Sequence, residues 1–348
     1  MILVTGGAGF IGSHIVDQLI ADGHRVRVLD SLLESAHTTR PEIHPEAEFI
    51  EGDVRDAELL ERVLRGVDAV CHQAAKVGLG TDFLDTPDYV AHNDLGTAVL
   101  LTELARRRFE GRVVLASSMV VYGEGRYECP SDGVVTPAPR SIEALTNGDF
   151  DVRCPRCGAA LAPAAVPETA PLAPRNVYAA TKLHQEHLAF SFSRETGVPV
   201  TALRYHNVYG PRMPRDTAYA GVASIFASAL EDGRSPRVFE DGGQLRDFVH
   251  VRDVARANVL ALSAREPARG AFNIASGHPR TVLEMAQALA AAFPLVDEPV
   301  VTGEFRLGDV RHVFAATDRA TELLGFTAGE DFSSGMIELA RAPARARI

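Results

Sequence analysis

The chain of 348 residues is poor in the features that mark several protein classes. It has only four cysteines, too few for a disulfide framework to hold a chain of this length. It has no block of Lys or Arg, and 35 basic against 46 acidic side chains leave a formal net charge of -11. That balance argues against a surface built for the phosphate backbone of nucleic acid. No run approaches the roughly 18 uninterrupted apolar residues of a membrane span. No internal repeat is evident. With 46% hydrophobic and 23% charged residues, 29 Gly and 20 Pro, the composition excludes disordered, collagen-like and coiled-coil classes. Met1 to Val4 already read as a strand, so no signal peptide is expected. The expectation is a soluble cytoplasmic protein without nucleic-acid or membrane partners, built as one large α/β domain or two ordinary ones.

What is present is an alternation. Met1 to Val4, Val26 to Leu29, Val67 to His72, Val113 to Ala116 and Val200 to Arg204 are short, β-rich apolar runs. Near-continuous apolar runs are strands buried on both faces, as in a parallel sheet. Helical patterns at 14–22, 57–65, 96–107 and 179–196 separate them. This predicts right-handed βαβ units in a doubly wound Rossmann fold over residues 1–210. After Arg212 the alternation loosens. Helical candidates at 221–231, 254–264, 282–293 and 320–324 mix with short strands near Arg237 and Ala271. Residues 211–348 are read as mainly a smaller substrate-binding lobe, with some segments returning to the first domain. Residues from about 124 to 174 are rich in Pro, Ala and Gly and hold three of the four cysteines; they read as an insertion in a loop.

Thr5-Gly6-Gly7-Ala8-Gly9-Phe10-Ile11-Gly12 follows the first strand and opens the first helix. Gly6 permits the tight turn, Gly9 lets the backbone approach a pyrophosphate, and Gly12 allows close helix–strand contact. The helix N-terminus adds free N–H groups and a positive dipole. Asp30 ends the second strand, where a carboxylate accepts hydrogen bonds from ribose hydroxyls and repels a 2′-phosphate. No basic residue follows closely, so NAD is favoured over NADP. Asp53 and Val54, after the next short strand, are placed to meet the adenine. A glycine turn with no ligand is the plainer alternative.

Tyr178 and Lys182 lie one helical turn apart on one face. A nearby ammonium is expected to lower the phenol's pKa and let it act as a base near neutral pH. Such a pair alone is common on surface helices. Beside a nucleotide-binding turn, and with Ser117 and Ser118 ending the fourth predicted strand, it acquires weight.

With these residues together, the sequence resembles the extended short-chain dehydrogenase/reductase family, in its nucleotide-sugar epimerase/dehydratase branch. The likeness spans nearly the whole chain: TGGAGFIG at 5–12, HQAAKVG at 72–78, SSMVVYG at 117–123, YAATK at 178–182, RYHNVYGPR at 204–212, RDFVHVRDVA at 246–255 and RLGDVRH at 306–312. The resemblance implies a Rossmann domain and a small C-terminal lobe with a nucleotide sugar between them. It implies Ser118 as the catalytic hydroxyl, Tyr178 as the acid/base, and Lys182 as its support and a holder of the nicotinamide ribose. It implies cofactor contacts from Phe10, Ile11, Gln73, Ala74, Ala75, Lys76 and Asn93, substrate contacts from Ser117, and His206 in the sugar pocket. Asn207, Arg246 and Arg311 match positions that bind the substrate diphosphate, a role two guanidinium groups and an amide suit; structural salt bridges are the alternative for either arginine. A homodimer through the helices at 96–107 and 179–196 is also implied.

The family's 4,6-dehydratases carry Asp-Glu directly after the catalytic hydroxyl, where this chain has Met119 and Val120. Its decarboxylases carry a Glu in the same segment, also absent here, and Asp30 disfavours an NADPH-dependent reductase. What remains is 4-epimerisation with retained NAD. Arg212 and Arg215 follow the Asn207 segment and can meet a C6 carboxylate, which favours UDP-glucuronate as substrate. The cysteine-containing insertion and Asp216-Thr-Ala-Tyr-Ala-Gly-Val222 are similar to the dTDP-L-rhamnose 4-epimerase type, the alternative. Outside catalysis, a non-catalytic NAD-binding scaffold predicts loss of one of Ser118, Tyr178 and Lys182, and all three are present.

Cys129-Pro-Ser-Asp132-Gly133 and Cys154-Pro-Arg-Cys157-Gly158 are two knuckles, one with Asp in place of its second Cys. Facing each other, Cys129, Asp132, Cys154 and Cys157 would form a closed structural zinc site. The alternative is a loop that keeps its turns without a metal. A module whose working part is this ribbon is a further rival. Cys71, within a strand, reads as a small core residue, and His72 and His250 as structural.

Overall fold

The computed structural model describes residues 1–33, 40–78, 83–214 and 221–342. Seven strands form one parallel sheet: β1 (Ile2–Thr5), β2 (Val26–Asp30), β3 (Glu48–Glu51), β4 (Ala69–His72), β5 (Arg112–Ser118), β9 (Val200–Tyr205) and β14 (Gly270–Ile274). Their order is β3-β2-β1-β4-β5-β9-β14. The order reverses between β1 and β4, and there the carboxyl ends of the strands diverge into a crevice.

Alternate residues of each strand feed opposite layers, as a two-residue period requires. Val4, Val28, Cys71, Val114 and Phe272 face α1 (Phe10–Ala21) and α8 (Val251–Ser263), which bring Ile15, Leu19, Val254 and Leu262. Leu3, Leu29, Val70, Leu115 and Ala202 face α2 (Ala57–Val63), α4 (Gly96–Arg106) and α6 (Val177–Thr196), which bring Leu60, Leu100, Leu104 and Phe192. The Ala271 strand, expected in the smaller lobe, is instead the outer strand of this sheet. Its partner is β9, far away in sequence, so local pattern cannot assign it.

Residues before and after α8 build the second lobe. Short strand pairs β10 (Asn207–Tyr209) with β13 (Phe248–His250), β11 (Arg237–Val238) with β16 (Val300–Val301) and β12 (Leu245–Arg246) with β15 (Arg280–Thr281) frame it. Phe226 and Leu230 of α7 (Val222–Glu231), Met285 and Leu289 of α9 (Val282–Ala290) and Met336 and Leu339 of α11 (Phe332–Arg341) fill its core.

The insertion is more ordered than a loop. β6 (Arg126–Cys129), β7 (Gly133–Val135) and β8 (Ala162–Ala164) form an antiparallel sheet. Tyr127, Cys129, Val135, Val152, Cys154 and Leu161 give it a core of its own. Its strands are short and its apolar residues widely spaced, which hides any period from the sequence. Among the described residues no helix is long and apolar enough to cross a membrane.

Candidate active site

The carboxyl ends of β1, β2, β4, β5 and β9 open into a cavity of about 440 Å³, and Met213, Pro214 and Gly221 close it from the second lobe. Gly6, Gly9, Phe10, Ile11 and Gly12 form part of its wall. Gly6 has φ +67°, the left-handed conformation that glycine adopts without strain. A Cβ on Gly12 would lie 2.1 Å from the Gly6 carbonyl oxygen, so this glycine closes α1 against its own turn. The sequence expectation had it meeting a strand. The Asp30 carboxylate accepts from the Ala8 amide at 3.0 Å and from the Leu32 amide at 2.9 Å, which ties the turn to the end of β2. Leu29, Ser31, Leu33, Gly52, Asp53 and Val54 complete that end of the cavity, and among the described lining residues none here is cationic. This cradle of bare backbone at a helix N-terminus, beside a carboxylate and with no cation for a 2′-phosphate among its described lining residues, fits NAD. Asp53 is held by Arg55 through contacts of 2.9 and 2.6 Å, which lower its pKa.

Gln73, Ala74, Ala75 and Lys76 line the middle of the cavity. Asn93 does not line it. Its side chain accepts from the Lys76 amide at 2.7 Å and donates to the Lys76 carbonyl and to Thr181, and so clamps that loop to α6. Asn93 sits in a π-helical segment, Val90–Leu95, between α3 (Thr86–Tyr89) and α4. The wider turn also brings His92 to the cavity wall, a residue that no sequence spacing singled out.

Ser117, Ser118, Tyr178 and Lys182 meet at the other end, with His206 and Asn207. The Asn176 side chain caps α6 by accepting from the Ala179 amide, so Tyr178 falls in the first turn, facing the end of β5. Lys182 is buried and donates to the Ala116 carbonyl at 3.0 Å. Its Nζ lies 6.0 Å from the centre of the Tyr178 ring. Burial lowers the Lys182 pKa to about 8, against the pull of Asp94 and Glu186. Burial raises Tyr178 to about 12, opposed by a hydrogen bond with Ser118. The expectation of a phenol made acidic by its lysine is therefore reversed. Desolvation of the phenolate outweighs an ammonium whose nearest acceptor is a backbone carbonyl.

Beneath this end lies a network the sequence reading missed. Glu186, one turn after Lys182, accepts from the Ser117 hydroxyl at 2.5 Å and pairs with Arg204 through both oxygens, at 2.8 and 2.7 Å. Arg204 also donates to the Tyr122 hydroxyl at 2.9 Å. The signal was available, since Glu186 repeats the spacing of Tyr178 and Lys182. His206 is buried with Asn273 as a polar neighbour, neither ring nitrogen makes a well-aligned hydrogen bond among the described residues, and burial lowers its pKa to about 4. Cys71 is buried and pushed up to about 12, as suits a core residue. His72 is bonded to Thr5 and Thr97.

The expected diphosphate arginines are engaged elsewhere. Arg311 is buried between Asp241 at 2.7 Å, Glu240 at 2.9 Å and Asp151 at 3.2 Å. Arg246 donates to the carbonyls of Leu245, Val310 and Arg311. Arg212, with φ +65°, turns to Asp17 of α1 at 2.7 Å. None of the three lines the cavity. Arg215 lies outside the described residues. The set Cys129, Asp132, Cys154 and Cys157 is brought together in the insertion, apart from the cavity.

Comparisons with known proteins agree with this geometry. The model of the NAD dependent epimerase/dehydratase family matches residues 2–142 and 158–275. A dTDP-L-rhamnose 4-epimerase of Burkholderia thailandensis is 35% identical, over 97% of this chain and 93% of its own. The structure of a UDP-glucose 4-epimerase of Thermotoga maritima with UDP-glucose superposes with TM-score 0.79 at 31% identity, covering 97% of each chain. That of MoeE5 with UDP-glucuronic acid and NAD does so with TM-score 0.77 at 30% identity, again over 97% of each. The glycine turn, the Ser118–Tyr178–Lys182 cluster and these similarities lead to one conclusion: the chain belongs to the NAD dependent epimerase/dehydratase family.

Proposed function

We propose that the chain is an NAD-dependent nucleotide-sugar 4-epimerase that works by transient oxidation at C4. The observation that carries this reading is the convergence of Ser118, Tyr178 and Lys182 on the cavity that also holds the glycine turn and Asp30. NAD in that cradle supplies the acceptor, and then the donor, of the C4 hydride. Tyr178 takes the proton of O4 as the carbonyl forms and gives it back when the carbonyl is reduced. Ser118 donates a hydrogen bond to the same oxygen while negative charge builds on it. Lys182, cationic below its lowered pKa of about 8 and 6.0 Å from the centre of the Tyr178 ring, offsets part of the phenolate's desolvation. Epimerisation needs a sugar that can present either face of C4. Met119, Val208, Met213 and Pro214, which line this end, offer it few fixed polar partners. Met119 and Val120 also supply no acid or base for a dehydration.

The same apolar lining favours a 6-deoxyhexose, such as that of dTDP-L-rhamnose, over a sugar with a C6 carboxylate. The charge argument for UDP-glucuronate rested on Arg212 and Arg215, and Arg212 pairs with Asp17 instead. UDP-glucuronate remains the second reading, favoured by the likeness to MoeE5, whose structure holds UDP-glucuronic acid. The purified chain, without added NAD, should invert C4 of dTDP-L-rhamnose, followed by proton NMR. Tyr178→Phe should lose about 10²–10⁴-fold in rate. Inversion of UDP-glucuronate alone would reverse the substrate order. No inversion of either would sink both substrates, and full activity in Tyr178→Phe would sink the mechanism.

A homodimer is part of the same reading. α4 and α6 pack side by side, and Ala180, His184 and His187 form an exposed stripe of α6 that meets its copy in this reading. Sedimentation velocity should return twice the chain mass of 37.4 kDa.

A further inference from the structure

We propose that Cys129, Asp132, Cys154 and Cys157 form a tetrahedral zinc site that locks the insertion and, through it, braces the substrate lobe. The four ligand atoms lie within 4.8 Å of one another. The Asp132 Oδ2 is 3.4 Å from the Cys129 sulfur and 3.3 Å from that of Cys154, and the Cys129 and Cys157 sulfurs are 3.4 Å apart. Zinc with Zn–S near 2.3 Å and Zn–O near 2.0–2.2 Å sets neighbouring ligands about 3.5–3.8 Å apart. Those three contacts are shorter than that figure by only a few tenths of an ångström. The cysteines are free thiols, so no disulfide explains the approach. A closed set of three sulfurs and one oxygen, with no position left for substrate, is the donor chemistry of structural zinc.

The local folding is built for the same end. Each knuckle closes on a glycine with positive φ, Gly133 at +68° and Gly158 at +75°. The Gly158 amide donates to the Cys154 carbonyl at 2.9 Å, which turns the Cys157 sulfur back toward its partner. Cys129 and Cys154 also belong to the insertion's core, whose few apolar side chains are a small reserve for a unit of this size. The family match stops at 142 and resumes at 158. Cys154 and Cys157 of the second knuckle thus fall between the two matched ranges.

The cluster lies at one end of a mechanical chain. Between the knuckles, Arg140 pairs with both oxygens of Glu240 at 2.8 Å and donates to the Asp309 carbonyl. Asp151 meets Arg311, and the Tyr127 hydroxyl accepts from the His312 amide. Arg246 in turn donates to the carbonyls of Val310 and Arg311. Metal that fixes the knuckles therefore fixes the 306–313 segment and the Glu240 turn of the second lobe. This inference stands apart from the proposed reaction and fails or holds without it.

The test uses the full chain, purified under reducing conditions without a nickel column. Elemental analysis should find one zinc per chain. Cys154→Ser and Asp132→Ala should lose it, while Cys71→Ser keeps it. Asp132→Cys should retain zinc and guards against a reading in which the other variants merely misfold. Cobalt exchanged into the site should show thiolate-to-metal absorption. Chelation should lower the melting temperature by at least about 5 °C and expose residues 129–160 to limited proteolysis. Failure of the reduced chain to take up zinc or cobalt overturns the proposal. So does zinc that survives Cys154→Ser, or a Cys129–Cys157 disulfide in the native protein.

Discussion

Tyr178 and Lys182 share a helical face and a cavity wall, and burial moves them apart on the pH scale. It raises the phenol to about 12 and lowers the ammonium to about 8. A lysine with a lowered pKa keeps its charge below that value and loses it as pH rises through it. If Lys182 supports the phenolate as cation, kcat/KM should fall above about pH 8. Lys182→Arg, whose charge persists, should show a lower rate without that alkaline limb; an unchanged limb would remove the lysine from that role. His72 shifts in the same direction as Lys182, with its consequence in stability. Burial lowers its pKa to about 3. Between the unfolded value near 6.5 and that value the unfolded chain binds more protons, so stability falls with falling pH. By pH 5 the loss amounts to about 2 kcal/mol. His72→Gln should melt lower at pH 7 and show a flatter decline of melting temperature toward pH 5. At this scale the glycine turn, Asp30 and the placement of the proposed catalytic residues were legible, because each position depends on neighbours within one turn or one strand end. The destinations of Arg246 and Arg311 were not, because their acceptors come from other parts of the second lobe and from the insertion.

Between elements, the joint that matters most for the site is α6 on β5 and β9. Glu186 carries it, with Ser117 on one strand and Arg204 on the other. Both charges are almost fully enclosed. Glu186→Gln would leave the Arg204 guanidinium inside without its counterion, a change that costs about 3–5 kcal/mol and should appear in chemical denaturation. Glu186 also holds the Lys182 pKa up. The same variant should therefore move the alkaline limb of kcat/KM to lower pH, which a merely structural loss would not do. Helix positions were readable from period, and their starts less so. α8 begins at Val251 rather than 254 because His250 caps it by accepting from the Arg252 amide. α6 begins at Val177 because Asn176 does the same for Ala179.

Across the whole molecule, two lobes and an insertion meet at charged joints. Arg140, Glu240 and Arg311 form the buried one. Arg140→Ala should lower the melting temperature and speed proteolytic cleavage within 124–174. It should leave NAD retention unchanged, since the Rossmann cavity draws no residue from the insertion. Loss of bound NAD in that variant would mean that the insertion supports the cofactor domain as well. The doubly wound domain, its glycine turn and the grouping of Ser118, Tyr178 and Lys182 follow from the sequence alone. These are written in periods and spacings a few residues long, which backbone geometry converts directly into strands, helices and shared faces. Long-range packing alone places the Ala271 strand at the edge of the large sheet and turns Arg246 and Arg311 to carboxylates and carbonyls, and it brings together the four knuckle residues that the sequence could only set side by side. Each of those outcomes is a contact between segments far apart in the chain, and its free energy depends on burial and partners that no local pattern encodes.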